Sequence, residues 1–458
     1  MRTKHLIPNH AAGLTYRRRR RPVRGVPRRG ARADRLQAAL QVRRRRVRHL
    51  APVAAAPALD LDFAAAFPAA PRRRAAFAAA ATAALAGSRR HPLRRLCLAL
   101  DGFFDQAFAA SAASHVASWL AAAAARGVEQ LELHLPRSRL AVLPPSLIAC
   151  TDLTSLTLRL DHNALPLPSL CPLTRLSRLS RLHLSSVSLV GCGDFFEDLC
   201  SHCTQLSCLI LEQCHIGALR LAGAPQLCSL DIASCSWTEQ SSIAIAEMPA
   251  LRTLRYSGAM ANRHMINGAD SLDEAVLAIE KPQALLEPNL RELLALVGNV
   301  RSLVLSPWCI EQFAHPEEWS KVRLDKVRRL ACIIERREEG ALSIAPLLTS
   351  CPNVQELSVS VVPSQSKRRR CSDSEVQYRV IGGRGMIVRN LREIRMEYID
   401  ESKSGLDLVK LLLKKAQMLE MMTIVPSMDG LEQAKFRRRV LKFRKASRNV
   451  NIQFCATA

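Results

Sequence analysis

The sequence predicts an α/β solenoid, in which short parallel strands and helices alternate along one continuous stack. Two observations lead to this prediction. The pattern Leu-x-x-Leu-x-Leu recurs from about residue 93 to residue 424, and most copies follow one another after 21 to 28 residues. A strand that buries alternate side chains, preceded by an apolar residue at the turn, produces this pattern. The interval fits one strand plus one helix in each repeat.

Thirteen copies can be identified, and LDEAVL at Leu272 is the weakest of them. One such unit cannot bury its own apolar face, so neighbouring units must stack into a shared core. The predicted architecture is therefore a leucine-rich-repeat solenoid, or horseshoe, with a parallel sheet on its concave face. The middle apolar residues of the copies are Leu96, Leu131, Leu156, Leu182, Leu209, Leu230, Leu254, Ala275, Leu303, Leu330, Leu357, Ile394 and Met422.

The solenoid is expected over residues 93–360, with two intervals that exceed the usual period. A helix over residues 105–126 fills the first, because apolar residues there lie among good helix formers. Residues 361–390 form a polar insertion with a Gly-Gly pair that suits an exposed loop. Residues 391–458 then give a helix, a final strand, a basic helix and a short strand that cap the last repeat.

The N-terminal part of the chain carries most of the positive charge. Residues 1–95 hold 24 Arg and Lys against three acids, whereas the whole chain has a formal charge of +26, so the solenoid is nearly balanced. Residues 1–50 are basic and of low complexity, and we expect them to be disordered because like charges repel and little apolar surface offsets chain entropy. Residues 51–92 are expected to be a linker.

Several classes of protein find no support in the residues. No run of 18 apolar residues predicts a transmembrane helix, and no membrane partner is expected. Catalytic and phosphate-binding motifs are absent, so we expect a non-catalytic chain without cofactors. Cys200-x-x-Cys203 has the spacing of a zinc knuckle, but Cys203 also occupies a buried turn position of the repeat, as do Cys150 and Cys351. The structural interpretation of these cysteines is preferred, and no metal is predicted.

Three segments resemble a known family. They are APALDLDF at residues 56–63, CPNVQELSVSV at 351–361, and the region 391–454 that includes LVKLLLKKAQMLEMMTI. They are similar to parts of the plant F-box proteins with leucine-rich repeats and a C-terminal FBD module. Residues 51–92 would then be a remnant of the region C-terminal to the F-box, and 391–458 an FBD-like repeat and cap. The chain departs from the family in its F-box, of which only RVRHL at 46–50 resembles the end.

The resemblance implies a substrate-recognition subunit of a Skp-cullin-F-box ubiquitin ligase. A Skp-type adaptor would hold the F-box, and the solenoid would bind a target protein in the cytoplasm or nucleus. A second hypothesis is a stand-alone binding protein that has lost adaptor docking. A third is weak nucleic-acid binding through the arginine-rich N-terminus, which is the less favoured because Tyr16 is the sole aromatic residue in the first fifty.

Residues that flank the buried leucines of each strand are predicted to form the partner-binding surface. Side chains alternate between the two faces of a strand, so these residues point to the concave side. They carry both charge signs, which suits a protein partner better than a polyanion. The predicted partner-binding residues are Glu132, His134, Thr157, Arg159, Arg181, His183, Glu212, Asp231, Arg255, Glu356 and Arg395.

Overall fold

The computed structural model describes residues 58–66, 74–86, 92–104, 109–135, 144–160, 171–191, 194–282, 290–313, 322–336, 338–363, 388–428 and 430–455. All of them belong to the unit His49–Ala458. The basic segment 1–50 and most of the polar insertion 361–390 lie outside the described residues.

Eighteen strands of the described part of the chain form one parallel sheet. They are β1 (Ala58–Asp62), β2 (Arg95–Ala99), β3 (Gln130–Leu135), β4 (Ser155–Leu160), β5 (Arg181–Ser185), β6 (Ser188–Leu189), β7 (Cys208–Glu212), β8 (His215–Ala222), β9 (Ser229–Ala246), β10 (Thr253–Gly258), β11 (Arg263–Asn267), β12 (Glu274–Ile279), β13 (Ser302–Leu305), β14 (Arg329–Glu335), β15 (Glu356–Val362), β16 (Glu393–Ile399), β17 (Met421–Pro426) and β18 (Asn451–Phe454).

Helices follow many of these strands and lie on one side of the sheet. They are α1 (Phe63–Ala66), α2 (Arg74–Ala86), α3 (Ala109–Ala124), α4 (Phe195–His202), α5 (Leu290–Leu296), α6 (Pro307–Gln312), α7 (Glu338–Ser350), α8 (Lys403–Lys415) and α9 (Gly430–Leu441). Short 3-10 turns at Pro145–Leu147 and Cys171–Arg175 replace a helix in two repeats.

The main ladder runs from β1 to β18 in chain order, each strand parallel to the next, without β6, β8 and β11. The middle apolar residues of all thirteen predicted copies pair with one another across this ladder; Leu156, for example, lies between Leu131 and Leu182. The weak copy is also a strand, β12, with Ala275 in the shared column. The predicted solenoid and its register are therefore confirmed.

A second ladder branches from the middle of the solenoid. There β6 pairs with β8, and β8 and β11 pair with the C-terminal part of β9. The repeat of β6 still has helix α4, but in the repeats of β8, β9 and β11 a strand takes the place of a helix. The chain enters this ladder through residues with positive φ at equivalent places of successive repeats, among them Ser186, Gln213 and Ser234. The next equivalent residue is Gly258, where an added Cβ would lie 2.8 Å from the Cα of Ser234.

The core is aliphatic along most of the stack, and leucine supplies most of it. At the N-terminal end it changes, because Phe63, Phe77, Phe103 and Trp119 pack edge to face with ring centroids 5.2 to 6.1 Å apart. The Trp119 indole N–H donates to the hydroxyl of Thr82 at 2.9 Å, which satisfies its polar atom within this cluster. The aromatic cluster closes the first repeats against solvent.

The segment expected to be a linker begins with a strand of the sheet. The alternating residues Ala58–Asp62 pair with β2 over their whole length, with Leu59 beside Leu96. Phe63, which follows directly, is 5% exposed within the aromatic cluster. The solenoid thus extends N-terminally beyond residue 93, because the period-two alternation of ALDLDF supplies one more pair of inward-facing leucines.

A ladder of side-chain hydrogen bonds links the turns that precede the strands. The hydroxyls of Thr154, Ser180 and Ser207 and the thiol of Cys228 each donate to the main-chain carbonyl of the equivalent residue in the preceding repeat, at 2.9 to 3.1 Å. The same carbonyls also accept main-chain N–H groups of the next repeat, so the side chains add a further bond to each of these main-chain links. They hold neighbouring repeats in a fixed register.

Candidate protein-binding surface

The sheet has one face covered by helices and one face without them, which we call the open face. Side chains alternate between the two: along β3, Leu131 and Leu133 are buried in the core, whereas Gln130 is exposed and Glu132 and His134 are half-buried on the open face. The same alternation holds in the neighbouring strands. Equivalent residues of successive strands therefore form three columns across the open face.

All eleven residues predicted to bind a partner lie in these columns. The first column contains Arg181 and Glu356; the central column contains Glu132, Thr157, His183, Asp231, Arg255 and Arg395; the last contains His134, Arg159 and Glu212. Each of them is exposed or half-buried. The nine residues from Glu132 to Arg255 occupy adjacent strands of the main ladder, and we call them the polar zone.

Diagonal ion pairs and a histidine–carboxylate hydrogen bond between neighbouring strands organise the polar zone. Glu132 lies 3.1 Å from Arg95, and its carboxylate raises the pKa of that guanidinium. His183 lies 3.0 Å from Glu212. Because such half-exposed pairs add little to stability, their main effect is to fix the positions of charged groups on the surface.

Two arginines of the polar zone remain available to a partner. Arg159 and Arg181 are exposed, and no ion pair joins either of them to another described residue. The polar contact of Arg181 is a weak one, 3.7 Å from its guanidinium to the Sγ of Cys208. An exposed guanidinium without an ion pair can form bidentate hydrogen bonds with a carboxylate of a partner.

The open face changes character after Arg255. On β12 to β14 the first column keeps the polar residues Glu274, Ser302 and Arg329. The central and last columns are aliphatic, with Val276 only 3%, Val304 7% and Ile333 4% exposed. Ala278 and Ala331 complete this group, which we call the aliphatic zone. The prediction from sequence did not include it. Its signal was available, because EAVLAI and LACII are continuous apolar runs, which indicate a strand packed on both faces.

Polar side chains return to the open face on β15 and β16. Glu356 and Glu393 are exposed and stand side by side in the register, and Arg395 lies 2.7 Å from Glu397. The aliphatic zone separates Glu356 and Arg395 from the other nine predicted residues. The structure thus divides the predicted surface into a large N-terminal group and a small C-terminal one.

The cysteines in repeat register are buried at turns. Cys203 is 1% exposed, and its thiol donates to the carbonyl of Leu176 at 3.4 Å. Burial raises the pKa of Cys150, Cys200 and Cys203 to about 11, so these thiols stay protonated at neutral pH. Within the described ranges, no three His, Cys, Asp or Glu side chains are placed together as metal ligands.

A search of the described helices for a length and apolar composition sufficient to cross a bilayer identifies none.

Comparison with known proteins gives the family. Residues 92–451 match the leucine-rich-repeat domain of the At1g61320/AtMIF1 family. The chain belongs to this family. The match begins just before β2 and ends within β18, so it covers almost the whole main ladder, and a leucine-rich-repeat domain of this kind is a protein-interaction scaffold.

Individual relatives are more distant. The chain is 28% identical over 192 residues to the F-box/LRR-repeat protein At1g06630 of Arabidopsis thaliana, which is 42% of this chain and 46% of the relative. It is 27% identical over 201 residues to the F-box/LRR-repeat protein At3g60040 of the same plant, which is 42% of this chain and 43% of the relative. The chain thus matches less than half the length of these curated relatives.

Among solved structures, the LRR protein LIC12759 of Leptospira interrogans aligns with 73% of this chain and 92% of its own. The sequence identity is 14% and the TM-score 0.26. At that score the likeness supports no inference about this chain.

Proposed function

We propose that this chain is a non-catalytic target-binding subunit, and that the polar zone of the open face is where a target protein binds. The observation that carries this proposal is the continuity of the polar zone. Nine side chains on adjacent strands present both charge signs, and several of them are held by cross-strand polar contacts. Mixed polar groups held in fixed positions give specificity toward a protein surface.

Arg159 and Arg181 are the proposed centre of recognition. They lie on neighbouring strands, β4 and β5, on either side of the half-buried Thr157 and His183. Because neither arginine is joined to a carboxylate of the described residues, a partner carboxylate can form a bidentate, charge-assisted pair with each without breaking an ion pair. The expected target therefore presents acidic side chains to this part of the sheet.

A photo-crosslinking amino acid at Thr157 tests the surface. The matched control places the same group at Glu197, which is exposed on α4 on the helix side of the sheet. We expect a target that copurifies with the chain to be crosslinked from residue 157 and not from residue 197, and to be lost when Arg159→Glu and Arg181→Glu are combined. Equal crosslinking from both positions would exclude the open face as the binding surface.

We further propose that the subunit serves a Skp-cullin-F-box ubiquitin ligase in the cytoplasm or nucleus. Support comes from the names of the two relatives, which are F-box/LRR-repeat proteins, and from the FBD-like pattern of residues 391–454. In this role the chain performs no chemistry; it holds the target while other subunits transfer ubiquitin.

Adaptor binding tests the ligase role separately. Purified full chain is mixed with a Skp-type adaptor, and the complex is detected by size-exclusion chromatography. A stable complex is the expected result. If none forms while the target is still bound through the polar zone, the chain is a stand-alone binding protein and the ligase role is wrong.

A further inference from the structure

The last two helices of the solenoid carry a concentration of positive charge that the proposed function does not use. Eight exposed cations occupy α8, α9 and the residue that follows α9; we call them the terminal basic face. They are Lys403, Lys410, Lys414, Lys435, Arg437, Arg438, Arg439 and Lys442. Three more exposed cations, Arg444, Lys445 and Arg448, follow before β18.

This concentration is specific to the C-terminal end. The seven described helices that precede α8 contain two Arg or Lys residues between them, Arg74 and Arg291. Helix α7, in the repeat before the insertion, has none. The charge is therefore not a general property of the helix side, as it would be if the cations served solubility alone.

Each helix directs its cations away from the core. On α9, Phe436 and Val440 are buried, whereas Lys435, Arg438 and Lys442 are exposed at a spacing that places them in one stripe on the opposite side. On α8, Lys403, Lys410 and Lys414 form an equivalent stripe opposite the buried Leu408, Val409 and Leu412, and the exposed Asp407 is the one acidic residue within it.

The two stripes lie on adjacent helices. Arg439 of α9 contacts Glu401, directly before α8, at 2.7 Å, and the main-chain N–H of Ala446 donates to the carbonyl of Leu413 at 2.8 Å. Among the eight described cations of the face, Arg439 is the one joined to a carboxylate by an ion pair. Arg437 lies over the ring of Phe454 at 5.4 Å. The others face solvent and are available to an anionic partner.

An aliphatic side chain stands among these cations. Leu431 is 80% exposed, the largest exposure of any large hydrophobic residue in the described part of the chain, and helical periodicity places it in the same stripe as Lys435 and Arg438. Leu441, at the end of the helix, is 45% exposed. Contact with water or with a phosphate backbone does not bury the apolar surface of such a side chain. Contact with the acyl chains of a lipid does, and that burial is favourable.

We propose that the terminal basic face docks the protein on an anionic membrane surface. The cations would contact lipid headgroups, and Leu431 would enter the boundary with the acyl chains. Nucleic acid fits less well, because the aromatic residues of α9 and its end, Phe436 and Phe443, are buried and half-buried and cannot stack on bases. The sequence-based expectation of no membrane partner rests on the absence of a spanning segment, and docking of this kind needs none. It leaves the open face on the other side of the sheet free for a target.

Vesicle binding by the full chain tests the proposal. The probes are vesicles of phosphatidylcholine alone and of phosphatidylcholine with 30% phosphatidylserine (about that fraction of anionic lipid gives a typical cytoplasmic surface potential). We expect binding to the second and not to the first. Combining Lys435→Gln, Arg438→Gln and Lys442→Gln should lower the partition coefficient on the order of 100-fold, since one cation near such a surface contributes about five-fold. Leu431→Ser should lower it about 10-fold.

The control variant removes three cations that lie outside the terminal basic face. Arg94→Gln, Arg178→Gln and Arg301→Gln produce the same change of net charge, but these residues sit in exposed ion pairs at the edge of the sheet. This variant should bind anionic vesicles nearly as well as the wild type. Equal losses in both triple variants, or no loss in either, would overturn the proposal, because the N-terminal arginines or the net charge would then carry binding.

Two further outcomes would contradict the proposed membrane docking. Equal binding to neutral and anionic vesicles would show that headgroup charge is not recognised. If the α9 triple variant loses affinity for a single-stranded RNA oligonucleotide but retains its affinity for vesicles, the face binds nucleic acid instead. Thermal unfolding of all variants must match the wild type, which is expected because the substituted side chains are exposed.

Discussion

The polar zone and the aliphatic zone occupy one face of one sheet, yet they differ in almost every chemical respect. Around Thr157 and His183, outward side chains are polar and half-exposed, and ion pairs connect the strands. In the aliphatic zone, the outward side chains of Val276, Val304 and Ile333 are less than a tenth exposed. The backbone pairing is parallel and continuous through both. The repeat therefore dictates which positions face outward but leaves their chemistry free.

The outward-facing residues can vary in chemistry for an energetic reason. In both zones the core columns supply the burial that stabilises the stack, and they are filled by leucine in most strands. In the polar zone the outward residues contribute little to stability and are available for recognition. In the aliphatic zone they are themselves packed, so that the sheet there is stabilised from both sides. Substitutions should separate these contributions.

The largest expected effect comes from a core position of the polar zone. Leu156→Asp removes a side chain with 0% exposure, which forfeits roughly 1.5–3 kcal/mol of apolar burial, and adds a buried charge. Neighbouring repeats should unfold, which thermal circular dichroism would show as a large loss of cooperative signal. The matched control is Thr157→Asp, one residue later and on the open face. An unchanged melting curve for Leu156→Asp would refute the register.

The next effect distinguishes the zones on the open face itself. Val304→Asp introduces a carboxylate at an outward position that is 7% exposed, and it should destabilise the protein by about 3 kcal/mol. Thr157→Asp occupies the equivalent column in the polar zone and should change stability by less than about 0.5 kcal/mol. Denaturant unfolding gives both values. Similar small losses for the two variants would mean that the zones do not differ in packing.

Two histidines extend the comparison to pH. His183 faces Glu212 in the polar zone, whereas His264 of β11 is 5% exposed and neither of its ring nitrogens has a hydrogen-bond partner. Burial lowers the pKa of His264 to about 4, so the folded protein does not take up the proton that the unfolded chain binds near pH 6.5. Stability should fall as the pH drops from 6.5 toward 4, by about 2 kcal/mol at pH 5.

His264→Phe checks the origin of this pH dependence. The variant keeps an aromatic ring against Tyr256, whose ring centroid lies 5.9 Å from that of His264, but it has no group to protonate. Its melting temperature should vary less between pH 7 and pH 5 than that of the wild type. An equal dependence in both proteins would assign acid sensitivity to other groups.

The smallest effect on stability is expected for Arg159 and Arg181, whose substitution should have the largest effect on target binding. Arg159→Glu with Arg181→Glu reverses two exposed charges without removing an ion pair between described residues, so unfolding should shift by less than about 0.5 kcal/mol. Binding of an acidic target through the polar zone should weaken on the order of 100-fold, measured by calorimetry with the purified target. Undiminished affinity would remove these arginines from the proposed interface.

The main ladder from β2 to β17 is predictable residue by residue because its signal is chemical and periodic, whereas β1 lies in the segment expected to be a linker. All thirteen inward positions from Leu96 to Met422 were identified, and the outward positions followed from alternation. The helix expected over 105–126 is found at Ala109–Ala124, and the basic helix and strand of the cap at Gly430–Leu441 and Asn451–Phe454. A repeated unit that must bury its leucines can adopt few other arrangements of its strands.

The second ladder and the aliphatic zone were not predicted, for different reasons. Positive φ at Ser186, Gln213 and Ser234 has no marker in sequence, because non-glycine residues adopt it through tertiary context. The intervals of 21 to 24 residues between Leu209 and Ala275 did hold a signal, since they leave little length for a helix. The aliphatic zone differs in this respect, because period-two alternation assigns its residues to the open face but does not reveal that they pack against one another there.

The second ladder has a mechanical consequence for the stack. A repeat completed by a helix is wider on its outer side, about 10 Å, than on its strand side, about 4.8 Å, and this difference bends a solenoid. Where β8, β9 and β11 complete the repeats, both sides are built from strands at equal spacing. These repeats should contribute little bending, so Asp231 and Arg255 sit on a straighter stretch between more strongly arched neighbours. A ligand with a rigid, nearly flat surface would therefore make its closest contacts with the protein along this straighter stretch.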